Sequence, residues 1–104
     1  MNINKNTLFF NILRRIANKP DSTQRAMAKS LDISLGKLNY CLKALKEKGL
    51  IKINNFKKNK SKLGYMYLLT PRGVSQKTQL TINFMKRKLA EYDELKDELE
   101  KNKK

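Results

Sequence analysis

The feature that most constrains this chain is a pair of short apolar stripes, each at helical spacing, with almost nothing between them. Ala26, Met27, Ala28 and Leu31 form the face of one short helix, and Leu38, Cys41, Leu42 and Leu45 form the face of the next. Only Asp32 and Ile33 separate Leu31 from Ser34, a good N-cap for the second helix. Ser22 is expected to cap the first, just after Pro20, and Gly49 to end the second in a left-handed turn. Two short helices joined this tightly read as a helix-turn-helix. Upstream, residues 7–17 place Leu8, Phe9, Ile12, Leu13 and Ile16 on one helical face, with Arg14 and Arg15 off it, before Asn18-Lys19-Pro20 stops the pattern.

Downstream the period changes. Leu50 to Phe56 and Tyr65 to Leu69 favour strands, and the KKNKSKLG between them, residues 57–64, holds four lysines among turn formers. That is a β-hairpin with a basic tip, a wing. Thr70 followed by Pro71 is a strong helix start, and about 30 residues then run on without another proline. At about 1.5 Å per residue such a helix spans roughly 48 Å, too long to lie on so small a domain, so its far end must project. Along it Ile82, Met85, Leu89, Tyr92 and Leu99 keep a 3–4 alternation broken only by Lys96, which reads as a coiled-coil seam for dimerisation. The acidic tail would be available to Lys86, Arg87 or Lys88 of a partner if the helices run antiparallel; a helix folded back over the core is the alternative. The expected fold class is therefore mainly α with a small β-hairpin: a winged helix-turn-helix DNA-binding domain over residues 1–70 and a long C-terminal dimerisation helix over 71–104.

Charge narrows the function. The chain carries 24 Lys and Arg against 9 Asp and Glu, a net +15, and residues 1–89 alone hold 20 basic and 3 acidic residues. A compact body this cationic resists its own self-repulsion best with a polyanionic partner, and nucleic acid is the expected one. Histidine is absent and cysteine occurs once, which removes histidine acid–base chemistry, a zinc site and a disulfide framework; no cofactor or metal is expected, and no enzyme. The carboxylates offer no catalytic pair, because Asp21, Asp32 and Glu47 fall at helix ends and the other six lie in the tail. No apolar run reaches 18 residues and the start, MNINKNTLFF, lacks a signal-peptide layout, so no membrane partner and a cytoplasmic location are expected.

Three groups of residues are candidates for contact with double-stranded DNA. With its apolar stripe turned inward, the helix that Ser34 caps shows Gly36, Lys37, Asn39, Tyr40 and Lys43, with Ser34 itself counted among the contacts and Lys46 beyond them. Lysine donates to guanine O6 and N7, asparagine pairs with adenine, and a small residue near the helix start lets the backbone approach. Thr23, Gln24 and Arg25 open the preceding helix, where free N–H groups and the positive dipole end suit a phosphate. Lys57, Lys58, Lys60 and Lys62 on the wing could follow the DNA backbone or enter the minor groove. Cys41 lies on an apolar stripe with no second cysteine, and reads as a buried, inert thiol. Most of the aromatic set Phe9, Phe10, Phe56, Tyr65, Tyr67, Phe84 and Tyr92 reads as core and seam rather than as the lining of a ligand pocket.

These residues bring a family with them. Residues 22–51, STQRAMAKSLDISLGKLNYCLKALKEKGLI, resemble the winged helix-turn-helix of the MarR family of bacterial regulators, and INNFKKNKSKLGYMYLLTPRGV resembles its wing and the Leu-Thr-Pro-x-Gly start of the next helix. The wording SLGKLNYCLKALKEKGLIKINNFK is most similar to short MarR-type regulators associated with exopolysaccharide gene clusters, and the similarity covers about residues 8–100. The resemblance implies a homodimeric transcription regulator on a palindromic operator, with the helix after Ser34 in the major groove and the wing on flanking DNA. Relative to full-length members, extra helices at both ends that build the dimer and the ligand pocket are missing from this sequence, which leaves a small-molecule effector open. The alternative from another class is a non-enzymatic protein-interaction or architectural module with only non-specific DNA binding.

Overall fold

The 3.6-residue apolar period of the first segment gives α1 (Lys5–Asn18), whose Leu8, Phe9, Phe10, Ile12, Leu13 and Ile16 are all buried. The computed structural model describes residues 5–59 and 62–102, and side chains throughout these ranges except at 55–59 and 62–65. After α1 come α2 (Gln24–Leu31), α3 (Leu35–Glu47), β1 (Ile51–Asn59), β2 (Lys62–Leu69) and α4 (Pro71–Asn102). One apolar cluster joins the α1 face to Met27 and Ala28 of α2, to Leu38, Cys41, Leu42 and Leu45 of α3, and to Leu50, Ile51, Tyr67 and Leu80. Ile12, Leu13, Ile16, Met27, Leu38 and Leu45 are almost wholly enclosed, so truncating any of the leucines to alanine would cost about 2–5 kcal/mol. Among the described residues no polar or charged side chain is buried. The core is therefore almost wholly apolar, and of those residues only the half-buried Arg15 turns a charged group inward, its Nε out of solvent with no hydrogen-bond partner.

Both tight turns of the helix-turn-helix region use a left-handed residue. Asp32 ends α2 with φ +56°, its N–H reaching the Lys29 carbonyl while the N–H of Ile33 reaches that of Ala28. Gly49 ends α3 with φ +74°, its N–H bonding to Lys46 and that of Leu50 to Leu45. Each is the paired bonding of a Schellman motif, which satisfies carbonyls a helix end leaves free. Gly49 meets the sequence expectation. At Asp32 the left-handed turn is what makes a two-residue linker long enough, and an aspartate tolerates that conformation at modest cost.

Three details differ from the sequence reading. Thr23, not Ser22, caps α2: its Oγ1 accepts from the Ala26 N–H at 3.0 Å. Ala26, expected on the apolar face, is exposed, leaving Met27 and Ala28 as the buried pair. The eight residues expected as the hairpin loop are mostly strand, since β1 continues through Asn59 and β2 begins at Lys62. Antiparallel pairing is made by backbone groups that polar residues carry as well as apolar ones, so the lysines and Asn59 signalled a loop where the ladder simply runs on. The register runs from Ile51 opposite Leu69 to Lys57 opposite Leu63, then shifts before Asn59 opposite Lys62. Lys60 lies outside the described residues.

The start of α4 is pinned to the end of α3. The Thr70 hydroxyl donates to the Gly49 carbonyl at 2.6 Å and accepts from the Gly73 N–H at 3.0 Å, while the Thr70 N–H bonds to the Leu50 carbonyl. Pro71 occupies the first helical position, where it loses no hydrogen bond. Gly73 is buried, and a Cβ there would stand 1.9 Å from the Leu50 carbonyl oxygen. Beyond Leu80 and Phe84 the helix leaves the body, and the molecule is 69 Å long but only 26 by 22 Å across.

Two substitutions test these close turns by denaturant unfolding. Gly73→Ala forces two backbones apart and should lower stability by about 3 kcal/mol or more. Asp32→Gly removes the cost of the left-handed conformation and should raise it by up to about 1 kcal/mol.

Candidate nucleic-acid interface

The inward turn of Leu38, Cys41, Leu42 and Leu45 decides what α3 shows to solvent. Gly36, Lys37, Asn39, Tyr40 and Lys43 are all exposed, Tyr40 by 67%, and Lys46 follows one turn on. Ser34 caps the helix as expected, its Oγ accepting from the Lys37 N–H at 3.1 Å. The structure thus brings these residues onto one outward face. Leu35, 39% exposed at the first turn, lies beside them and was missed; its place directly after the cap was the available signal. A Cβ on Gly36 would meet nothing within 4 Å, so the fold itself does not require a glycine there.

The opening of α2 is held against the base of the wing. Gln24 Nε2 donates to the Tyr67 hydroxyl at 2.6 Å, and the Tyr67 N–H bonds to the Pro20 carbonyl. Tyr67 is itself buried, so a strand residue fixes where the first turn of α2 points. Gln24, expected free to meet a phosphate, spends one amide hydrogen on this bond. Arg25 beside it is exposed, and Thr23 is exposed with its hydroxyl used in capping. Of the wing lysines, Lys57 and Lys58 belong to β1 and Lys62 to β2, while their side chains, and all of Lys60, lie outside what is described.

On α4 the expected seam residues Ile82, Met85, Leu89, Tyr92 and Leu99 are all exposed, and so is Leu95, which the 3–4 count passed over because Lys96 takes the seam position. Phe9 and Phe10 enter the core, and Phe84 stacks on Phe10 with ring centroids 4.7 Å apart. The side chains of Phe56 and Tyr65 lie outside the described set. A cleft of about 410 Å³ opens between Phe9, Leu13, Leu50 and Leu80, with Lys48 and Arg72 at its edge. Among the described residues no three His, Cys, Asp or Glu side chains come together to hold a metal ion, and no helix is long and apolar enough to cross a membrane.

Residues 8–52, from α1 into β1, match the winged helix-turn-helix DNA-binding family. No curated protein matches the sequence significantly. Among solved structures, the zinc-responsive MarR family member ZitR of Lactococcus lactis is 26% identical with a TM-score of 0.67, over 94% of this chain and 65% of its own. MarR of Staphylococcus aureus, solved with salicylate and kanamycin, is 26% identical with a TM-score of 0.65, over 83% of this chain and 56% of its own. The adhesin competence repressor of Streptococcus pyogenes, 19% identical with a TM-score of 0.66 over 85% of this chain and 63% of its own, shares the fold. The chain thus spans less than two thirds of the length of these structures, and it carries the winged-helix DNA-binding fold of MarR-family transcription regulators.

Cys41 is the chain's single thiol and lies in the core. Burial pushes its pKa up, against the opposing pull of Lys37 and Lys5. A raised pKa keeps the group as thiol, and the thiolate is the reactive form. At pH 8 a disulfide reagent should therefore label the native protein far more slowly than the urea-unfolded chain; equal rates would contradict the burial of Cys41.

Proposed function

We propose that this protein is a MarR-type transcription regulator that reads double-stranded DNA as a homodimer in the cytoplasm and carries out no catalysis. The observation that carries the reading is the outward face of α3. Gly36, Lys37, Asn39, Tyr40 and Lys43 sit exposed and contiguous on a helix whose opposite side is locked into the core. Lysine and asparagine are the types that read guanine and adenine edges. A glycine the fold does not need has a use if a DNA strand comes close to the helix start. Thr23, Gln24 and Arg25 at the opening of α2 fit a backbone phosphate, with Gln24 steadied by Tyr67. Lys57, Lys58, Lys60 and Lys62 extend the contact along flanking DNA.

A single winged helix covers part of one helical turn, and two copies on half-sites of a palindromic operator supply the rest. The exposed stripe Ile82, Met85, Leu89, Tyr92 and Leu99 is the surface we assign to pairing. The wording of residues 34–57 favours control of an exopolysaccharide or surface-polysaccharide operon, and the promoter of such a cluster is the first duplex to test.

Titration against a specific and a random duplex separates the roles. Lys37→Ala, Asn39→Ala and Tyr40→Ala should each cost about 1–3 kcal/mol on the specific duplex and little on the random one. Equal losses on both would reduce α3 to a backbone contact. With about 3–5 phosphate contacts per protomer, log affinity should fall against log salt with a slope of about −5 to −9. Replacing the four wing lysines with alanine should weaken binding on every sequence and flatten the slope, and an unchanged slope would remove the wing from the interface.

A further inference from the structure

The first turn of α3 carries two residues that the fold itself does not ask for. Leu35 follows directly on the Ser34 cap and is 39% exposed. Among the described residues it belongs neither to the apolar core nor to the half-buried side chains packed against that core. The turn does not depend on it either, because the Ser34 hydroxyl already holds the Lys37 N–H. Gly36 comes next, with open space where a side chain would stand. Lys37, Lys43 and Lys46 are exposed further along the helix, and the first turn holds no acidic residue. An uncharged apolar spot therefore opens a face that is otherwise polar and cationic.

Helical spacing says what lies beside that spot. At about 100° per residue, Leu35 and Asn39 stand on the same side of α3, roughly 6 Å apart, and Lys46 continues their line. Asparagine pairs with the N6 and N7 edge of adenine in the major groove, and each adenine there stands opposite a thymine. The thymine C5 methyl is the one apolar group that the four base pairs present in that groove. An apolar protein surface is the poorer partner, because seating it on Leu35 would bury the neighbouring ammonium groups without counter-charge. A phosphate-lined groove supplies the counter-charge and the methyl together.

We propose that Leu35 is a specificity residue, seated on the C5 methyl of one thymine in each half-site beside the adenine that Asn39 reads. The proposal rests on the α3 reading above and adds to it a residue, a base and a kind of contact. Gly36 serves the same contact, since the residue next to Leu35 on the outward side has no side chain to hold a base edge away. Moving one methyl group from water onto an apolar side chain changes affinity about fourfold, so two half-sites give about 15-fold.

The test removes the methyl and nothing else. A duplex enriched from a random library by the full chain is remade with single thymines replaced by deoxyuridine, symmetrically in both half-sites, which keeps base pairing and O4 and deletes the C5 methyl. At one position per half-site the replacement should weaken wild-type binding about 15-fold, whereas Leu35→Ala, already weaker on the thymine duplex, should lose less than about twofold further. That thymine should lie within about two base pairs of the position where Asn39→Ala loses its preference for adenine, because roughly 6 Å along α3 spans about two steps of 3.4 Å. A wild type indifferent to deoxyuridine at every position, or a Leu35→Ala variant as sensitive as the wild type, would overturn the assignment and leave α3 as the reading helix. Urea unfolding of Leu35→Ala should have the wild-type midpoint, and a loss as large as that of a core leucine would give the side chain to packing and overturn the proposal as well. Enrichment of no duplex at all would remove the regulator reading itself.

Discussion

The Thr70 hydroxyl stands between two helix ends, giving its proton to the last residue after α3 and taking one from the first turn of α4. Much of the architecture depends on that single oxygen and its neighbours. The Gly49 carbonyl is available to it because Gly49 adopts the left-handed conformation that ends α3. The Gly73 N–H is close enough because no side chain holds α4 away from Leu50. The helix with the exposed polar face and the helix with the exposed apolar stripe are consequently tied at their ends through one hydroxyl, with the hairpin between them.

The distribution of charge follows from the apolar core. Because Arg15, with its Nε turned out of solvent, is the one cation of the described residues that reaches inward, the other cations of residues 1–89 crowd a small surface and repel one another. Two arrangements relieve that repulsion without neutralising the chain. A polyanion laid over α2, α3 and the wing draws counter-charge to one side, and the acidic end of α4 provides a little of its own on the other. The chain's two exposed surfaces are of opposite chemistry: a cationic face over α2 and α3 and an amphipathic one along the outer half of α4.

α1 and α3 were readable because their burial patterns lie in the spacing of large apolar residues, and α3 and α4 also announce their starts through Ser34 and Thr70-Pro71. The Leu-Thr-Pro-x-Gly wording likewise resolves into separate physical tasks, with Thr70 bonding both ways and Gly73 allowing the contact with Leu50. What stayed hidden depends on partners distant in sequence. The choice of Thr23 over Ser22 as cap turns on where α2 is aimed, and that is set in part by Tyr67, 43 positions from Gln24. The strands run into the lysine-rich segment because pairing is a property of two backbones facing each other, which composition does not record. On the outward face of α3 and the opening of α2 the sequence showed which side chains stand exposed but not their surroundings: that Gln24 is already bonded, that Gly36 is open and that Leu35 is exposed beside it.

The central claim is that two α3 faces read one DNA duplex together, and selection from a library of random duplexes at physiological salt tests it most directly. The account predicts enrichment of an inverted repeat whose half-sites lie about one helical turn apart, roughly 34–36 Å, or a multiple of it, bound about 10³-fold or more tightly than the starting library. Recovery of sequences with no shared motif, bound no better than the library, would contradict it and leave only a cationic fold attracted to any phosphate backbone.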